Sequence, residues 1–414
     1  MKKILYCLLA VLFTGTGFAF GKESPDTKSI ESLKVWLSSP QKGSIGKQKF
    51  ANANISKEEA TSASALIYQY IQQEIKKQWE PEWLEKKITS GNYVMPFDYK
   101  IFGEEPADGR SLYISMHGGG KSPAAVNDRQ WKNQIGLYTP KEGVYLAPRS
   151  AVNDWNMWFQ PHVDSLFDKI IRTAIVELNV NPNKVYVMGY SAGGDGAYRM
   201  APRMADRWAA ASMMAGHPGD VSPVNLRNTP FMIWMGEKDR AYDRNLLAPK
   251  FGQWLDGLQQ EDPKGYIHET HIVEGKGHWM DHADTLAVPW MAQYVRNPYP
   301  LKVVWRQDNA PHETFYWLSV RIEEAKKENT VIVERSNNTF TILQNDYHTL
   351  TIGVNDTMID FSKPVKIIVN GKVIFNKKLT RKIKTIFDSL EKRKDPSLVF
   401  SAYLTVLDNE KVSL

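Results

Sequence analysis

The spacing of apolar residues changes character along this chain, and each regime predicts a different architecture. From residue 56 a helix is marked: Ser56 and Glu59 stand in the S-x-x-E capping relation, and Ala63, Ile67, Tyr70, Ile71 and Ile75 recur at helical spacing. This helix is expected to pack outside a sheet. Short apolar runs at 112–116, 144–147, 184–188, 210–214, 231–235 and 266–273 then alternate with amphipathic stretches at 163–178, after Ser191 and at 246–258. That alternation is the rhythm of βα units wound around a mainly parallel sheet.

Past Pro298 the period shortens to two, at 314–320, 330–333, 349–352 and 365–369. Asn370-Gly371 sits between two apolar runs and predicts a two-residue hairpin, because both residues tolerate the positive φ such turns need. A helix follows with Ile383, Ile386, Phe387 and Leu390 on one face, then a last strand at 402–407. The expected organisation is a helical lead-in at 20–94, an α/β catalytic domain at 95–300 and a smaller, separate β-rich domain at 301–414.

Residues 1–19 read as a secretory signal: Lys2 and Lys3, an apolar run at 4–13, then small residues ending Gly17-Phe18-Ala19. The alternative is a membrane anchor, but the apolar run is about ten residues and a bilayer crossing needs roughly 20. Cleavage near Phe20 gives an exported chain, periplasmic or secreted, with no stable membrane insertion. Cys7, the one cysteine, would leave with the signal, so disulfides, thiol nucleophiles and thiolate metal sites are excluded from the mature chain. Ser, His and carboxylate chemistry remains. The formal charge of +6 drops to about +4 without Lys2 and Lys3, too mild to suggest nucleic acid as a partner. The basic stretch at 372–394 coincides with a hairpin strand and an amphipathic helix and reads as a solvated face.

Gly189-Tyr190-Ser191-Ala192-Gly193 follows an apolar strand and opens a helix. In that context G-x-S-x-G describes a nucleophile elbow, whose strained turn needs glycines for close backbone passage; the alternative is a Gly-rich turn with an ordinary serine. The run from His117 through Gly118 and Gly119 to Gly120 follows the strand at 112–116, where glycines would let N–H groups face an oxyanion. Alone it would be a flexible turn; paired with the elbow it predicts an oxyanion hole of Gly118, Gly119 and the Ala192 N–H. A serine needs a base and the base an orienting acid, in the chain order Ser, acid, His for this kind of sheet. Asp239, just after the strand at 231–235, is the expected acid, with Glu237 and Asp243 as competitors. His278, on a loop with Gly275 and Gly277, is the expected base, ahead of His282, His268 and His271; His217 is a candidate pocket residue.

Asp154-Trp155-Asn156-Met157-Trp158-Phe159 concentrates aromatics in one loop. Trp155 and Trp158, with His117 and Tyr190, are expected to bind substrate; the alternative for the aromatics is a satellite core beneath the loop. His278 and His282 have i, i+4 spacing, but no Glu follows the first His as in H-E-x-x-H, so no metal is expected. Gly118-Gly119-Gly120-Lys121-Ser122 lacks the Walker spacing and does not support nucleotide binding.

The HGGG at 117–120, the GYSAGG at 189–194, the Gly-x-x-Asp at 236–239 and the Gly-His at 277–278 resemble the α/β-hydrolase superfamily. The similarity is to its branch of secreted feruloyl esterases, polyhydroxybutyrate depolymerases and dienelactone-hydrolase-like proteins, and it covers residues 95–297. It implies an α/β-hydrolase fold, a triad of Ser191, Asp239 and His278, and no cofactor. Residues 301–414 look similar to trailing domains found after predicted hydrolases. The function expected is a serine hydrolase of small-molecule or polysaccharide-linked carboxylic esters, feruloyl or other acyl esters among them. A serine peptidase with the same triad and an inactive carbohydrate-binding or scaffold protein are the alternatives.

Overall fold

The computed structural model describes residues 25–414, so the signal segment at 1–19 lies outside the described residues. Three helices come first: α1 (Pro25–Ser38), the single turn α2 (Lys49–Asn52) and the long α3 (Lys57–Leu84). The capping relation at the start of α3 is real: Ser56 Oγ accepts from the Glu59 N–H at 3.1 Å, and Glu59 accepts from the Ser56 N–H at 2.9 Å. Together these satisfy two of the N–H groups that a helix start leaves orphaned.

The central sheet has eight strands: β1 (Lys87–Ser90), β2 (Tyr93–Phe102), β3 (Arg110–Met116), β4 (Gly143–Pro148), β5 (Val180–Tyr190), β6 (Ala210–Met214), β7 (Phe231–Gly236) and β8 (His268–Val273). Their order is β1-β2-β4-β3-β5-β6-β7-β8, and all pairs from β4 to β8 are parallel, with β2 antiparallel to both its neighbours. This is the α/β-hydrolase fold. Helices α4 (Ala124–Ile135), α5 (Pro161–Glu177), α6 (Ala192–Arg203), α7 (Arg244–Glu261) and α8 (Ala287–Met291) fill the crossovers and the end of the sheet. Side chains alternate along the strands, so Leu112, Ile114, Val185 and Val187 bury on one face while Tyr113, Tyr145, Tyr186 and Met188 bury on the other. The sheet begins eight residues earlier than the expected boundary at 95, which falls inside β2. The hairpin of β1 and β2 escapes periodicity because Lys87, Asp98 and Lys100 interrupt its apolar positions.

Residues 302–413 add β9 (Lys302–Arg306), β10 (Thr314–Phe315), β11 (Leu318–Val320), β12 (Thr330–Ser336), β13 (Thr339–Asn345), β14 (Thr349–Val354), β15 (Val365–Val369), β16 (Lys372–Lys377), helix α9 (Ile383–Arg393), β17 (Ala402–Leu407) and β18 (Lys411–Ser413). Two five-stranded sheets, β10-β11-β14-β17-β18 and β16-β15-β13-β12-β9, close on one apolar core that includes Trp305, Trp317, Phe340 and Leu404. It is a β-sandwich. The run at 314–320, expected as one strand, is instead a hairpin of β10 and β11, because Tyr316 adopts φ 49 and reverses the chain. Asn370 (φ 50) and Gly371 (φ 76) make the expected two-residue turn between β15 and β16.

The sandwich is less separate than the sequence suggests. Ile383, Ile386 and Leu390 of α9 share a core with Ala63, Ile67, Ile71 and Ile75 of α3, so α3 packs on this helix as well as beside α5. A buried charge network joins the sandwich to the sheet. Arg393 and Arg207 both contact Asp206, at 2.9 and 2.7 Å, and Arg296 meets Asp395 at 2.8 Å. Arg203 bridges Asp164 and Asp308, and His312 meets the other oxygen of Asp164 at 2.7 Å. Burial pushes the Asp206 carboxyl up, but Arg207 and Arg393 outweigh it and hold it below the ordinary carboxylate range. Breaking a buried pair leaves an uncompensated charge and costs about 3–5 kcal/mol, whereas an exposed pair is worth less than about 1 kcal/mol. Arg393→Met should therefore lower the urea midpoint far more than Lys384→Ala, which breaks only the half-exposed pair with Asp388. Equal shifts in the two variants would show that the network does not hold the sandwich in place.

Candidate active site

Ser191 occupies the one residue between β5 and α6, at φ 60 and ψ −121. Its N–H donates to the Met214 carbonyl at 2.9 Å, and its own carbonyl accepts from the Asp195 N–H at 2.9 Å. The turn is possible because α6 drops directly onto the sheet: a Cβ at Gly193 would stand 2.1 Å from the Met116 carbonyl oxygen. The serine thus sits at the positive end of a helix dipole, where developing negative charge is favoured.

The loops that leave β7 and β8 bring two more side chains to it. His278 Nε2 lies 2.9 Å from Ser191 Oγ, and His278 Nδ1 lies 2.7 Å from Asp239 Oδ2. Asp239 is buried, so its charge is shielded from water and directed at the imidazole. With Nδ1–H donated to the carboxylate, Nε2 is left as the acceptor for the Ser191 proton. All three residues leave the carboxyl ends of parallel strands, the edge at which open α/β sheets place ligands.

The competitors stand elsewhere. Glu237 accepts from the Gly275 N–H at 2.7 Å and braces the loop that carries His278, while Asp243 is exposed at the start of α7. His268 bonds the Tyr266 carbonyl and Asp256, and His271 stacks on Trp234 at 4.3 Å. His282 lies edge-on to Trp279, in a loop rather than on a helix, so the i, i+4 spacing from His278 does not put both imidazoles on one face. His217 lines the cavity, as the sequence suggested.

Gly118 lies against the serine. A Cβ at Gly118 would be 3.1 Å from Ser191 Cβ; Gly119 has φ 110, and its Cβ would strike Asn127 Oδ1. Among the described residues, the N–H groups of Gly119 and Ala192 are not engaged by another protein group. The clamp on this loop is Asn127 of α4, which the sequence reading missed together with its helix. Its Oδ1 accepts from the Gly120 N–H at 2.9 Å and its Nδ2 donates to the Ser122 carbonyl and Asn153.

Three of the four residues expected to touch substrate do not line the cavity. His117 is wholly buried, with Nδ1 2.6 Å from the Gly118 carbonyl and Nε2 accepting from the Ser150 N–H at 3.2 Å. Trp158 is buried beneath it and donates to the His117 carbonyl at 2.8 Å. Tyr190 turns its hydroxyl to the His278 carbonyl at 2.7 Å and supports that loop from below. Each braces a loop of the site instead of lining it. Trp155 alone of the four opens onto the cavity, 63% exposed, and meets Phe159 edge to face at 5.5 Å.

That cavity, of about 610 Å³, is large enough for a small organic ligand and reaches from Gly119 and Ala192 across Asp195 and His217 to Tyr242 and Arg244. Burial pushes the Asp195 carboxyl above its ordinary value, while the His217 N–H, donating to it at 2.6 Å, pulls the other way. Among the described residues, no helix is long and apolar enough to cross a membrane.

No family model matches the chain, and no curated protein matches it. Similar solved structures include a thermostable esterase, 18% identical over 51% of this chain and 64% of that one, with a TM-score of 0.36. The match thus spans less than two thirds of that esterase's own length. A ferulic acid esterase is 16% identical over 50% of this chain and 96% of its own, with a TM-score of 0.37. Thermogutta terrifontis esterase 2, phosphonylated by cyclosarin, is 20% identical over 50% and 88%, with a TM-score of 0.32.

The bracing role of His117 has a pH signature. Burial pushes its imidazole down to about 4 from 6.5, the bond to Gly118 opposing. The unfolded chain therefore binds a proton at this position between those values and the folded one does not. The stabilisation is complete above about 6.5 and is lost as pH falls towards 4, by on the order of 3 kcal/mol. Urea unfolding at pH 7 and pH 4.5 should show a smaller acid loss in His117→Gln, which retains a donor and an acceptor, than in wild type. Equal losses would rule out a neutral His117 as the acid-sensitive element.

Proposed function

We propose that the protein hydrolyses carboxylic esters through an acyl-enzyme on Ser191. One observation carries this reading: the unbroken relay from Ser191 Oγ to His278 Nε2 and from His278 Nδ1 to Asp239, at 2.9 and 2.7 Å, beside an open cavity. In the first step His278 Nε2 takes the Ser191 proton as Oγ attacks the ester carbonyl carbon. The carbonyl oxygen becomes an oxyanion, for which the Ala192 N–H and the Gly118-Gly119 backbone serve as donors in this reading. Collapse expels the alcohol, which takes the proton from His278. Water then gives a proton to His278 and attacks the acyl carbon, and the returning proton frees Ser191 with release of the acid. Asp239 holds the imidazole in the tautomer this cycle needs.

Trp155 and Phe159 offer an apolar wall for an acyl group or a sugar ring, which supports a feruloyl or other acyl ester of a polysaccharide as the class of substrate. The signal-like segment at 1–19 supports export to the periplasm or beyond, and amino-terminal sequencing of protein recovered outside the cytoplasm should begin near Phe20.

Hydrolysis of p-nitrophenyl acetate and butyrate should fall by roughly 10⁶-fold in Ser191→Ala while the circular dichroism spectrum is unchanged. A fluorophosphonate should label the wild type one to one and leave the variant unlabelled. Esterase activity surviving in Ser191→Ala would remove the serine from the mechanism, and faster turnover of p-nitroanilides than of esters would favour a peptidase.

A further inference from the structure

The charged groups around the cavity are not equally satisfied. Arg199 donates to both Asp308 and Asp220, and Lys327 of the sandwich also meets Asp220 at 2.9 Å. That cluster of one arginine and one lysine with two carboxylates is internally paired. Asp195 is capped by the His217 N–H. Arg244, on the same cavity wall, differs. Its side chain is only 11% exposed, yet among the described residues its guanidinium donates a hydrogen bond to no protein acceptor. The nearest carboxylate oxygen, Asp239 Oδ1, is 3.8 Å away, beyond hydrogen-bond reach, and Nε is buried with no partner. The Tyr242 ring, 5.0 Å from the guanidinium carbon, holds it in place through its π face.

A largely covered guanidinium whose Nε is buried without a partner, and whose nearest carboxylate stands at 3.8 Å, gains from a ligand that supplies an acceptor. Water can satisfy its donors, but a carboxylate matches its planar fork with two parallel bonds and cancels its charge. Lys121, which directly follows Gly120, is a second cation lining the cavity and has no ion pair among the described residues. Asp239 faces Arg244 through Oδ1 at 3.8 Å while its Oδ2 is committed to His278, so it compensates part of the guanidinium charge but gives it no hydrogen bond.

Resting on the ester-hydrolase reading above, we infer that Arg244 is a specificity-determining anchor for a carboxylate on the substrate, so that the preferred ester carries a negative charge on its acyl or its alcohol half. Arg244 and Ala192, the residue after the nucleophile, line the same cavity. Lys121 adds long-range attraction at the entrance.

The test compares matched pairs of esters. p-Nitrophenyl hemiglutarate against p-nitrophenyl butyrate puts the charge on the acyl side; 4-acetoxybenzoate against phenyl acetate puts it on the alcohol side. In wild type the charged member of one pair should be preferred, and Arg244→Gln should lower the charged-to-neutral ratio of kcat/KM in that pair at least tenfold, chiefly through KM. Arg244→Lys should recover part of the ratio. The responding pair identifies the half of the substrate that bears the charge. An unchanged ratio in both pairs, or an equal loss for charged and neutral esters, would overturn the assignment. If wild type cleaves no ester, the hydrolase reading fails by itself, and calorimetry with monomethyl glutarate still decides on Arg244: binding lost in Arg244→Gln supports the anchor, and equal or absent binding in both proteins refutes it.

Discussion

The turn at Ser191 is the constraint on which the rest of the site depends. A non-glycine residue at φ 60 and ψ −121 costs of order 1–3 kcal/mol and persists only where its surroundings over-determine it. Here the surroundings are backbone. The Met214 carbonyl at the end of β6 accepts the Ser191 N–H, and Gly193 lets α6 approach the Met116 carbonyl at the end of β3. Helix α6 is thereby seated across the ends of β3, β5 and β6, and the serine has one place to be. The loop after β3 lies against it because β3 and β5 are neighbours, and the loops after β7 and β8 reach it from the other side.

The helix that seats the serine also docks the sandwich. Arg199 and Arg203 leave α6 one turn apart and both reach Asp308, with Asp164 and His312 completing the Arg203 cluster. Buried pairs of this kind contribute more to fixing one arrangement than to net stability, since desolvation offsets much of their attraction. The sandwich is therefore tied to the nucleophile's own helix, and its charges determine which cavity cations remain available. Asp308 and Lys327 neutralise the Arg199 and Asp220 end of the cavity, which leaves Arg244 and Lys121 as its cations without a hydrogen-bonded protein acceptor among the described residues.

The bracing residues form a second layer under each loop. His117 and Trp158 support the glycine loop, Asn127 clamps it from α4, Tyr190 holds the His278 loop, and Glu237 ties its beginning to Gly275. Three of these side chains resemble substrate contacts when only the sequence is considered, His117 and Tyr190 because they adjoin the glycine loop and the serine, and Trp158 because it falls in an aromatic loop. Their function is orientation.

By itself the sequence determined the sheet's βα rhythm, the Ser191 elbow after an apolar strand, the Ser, Asp, His order of the candidate relay and the Asn370-Gly371 hairpin. Each of these is written in short-range signals: apolar period, glycine placement and the few residues that follow a strand. Tertiary structure alone decided what depends on packing between distant segments. It buried His117, Trp158 and Tyr190 because those residues point down into the scaffold, a direction that residue type does not encode. It split the run at 314–320 through the reversed Tyr316, and built the hairpin of β1 and β2 from strands whose charged positions hide their period. It also left Arg244 without an acceptor. An arginine at a helix start reads as solvated in sequence, and it becomes a largely covered cation with no hydrogen-bonded protein acceptor only when segments near residues 120, 155, 195, 217 and 242 converge around it.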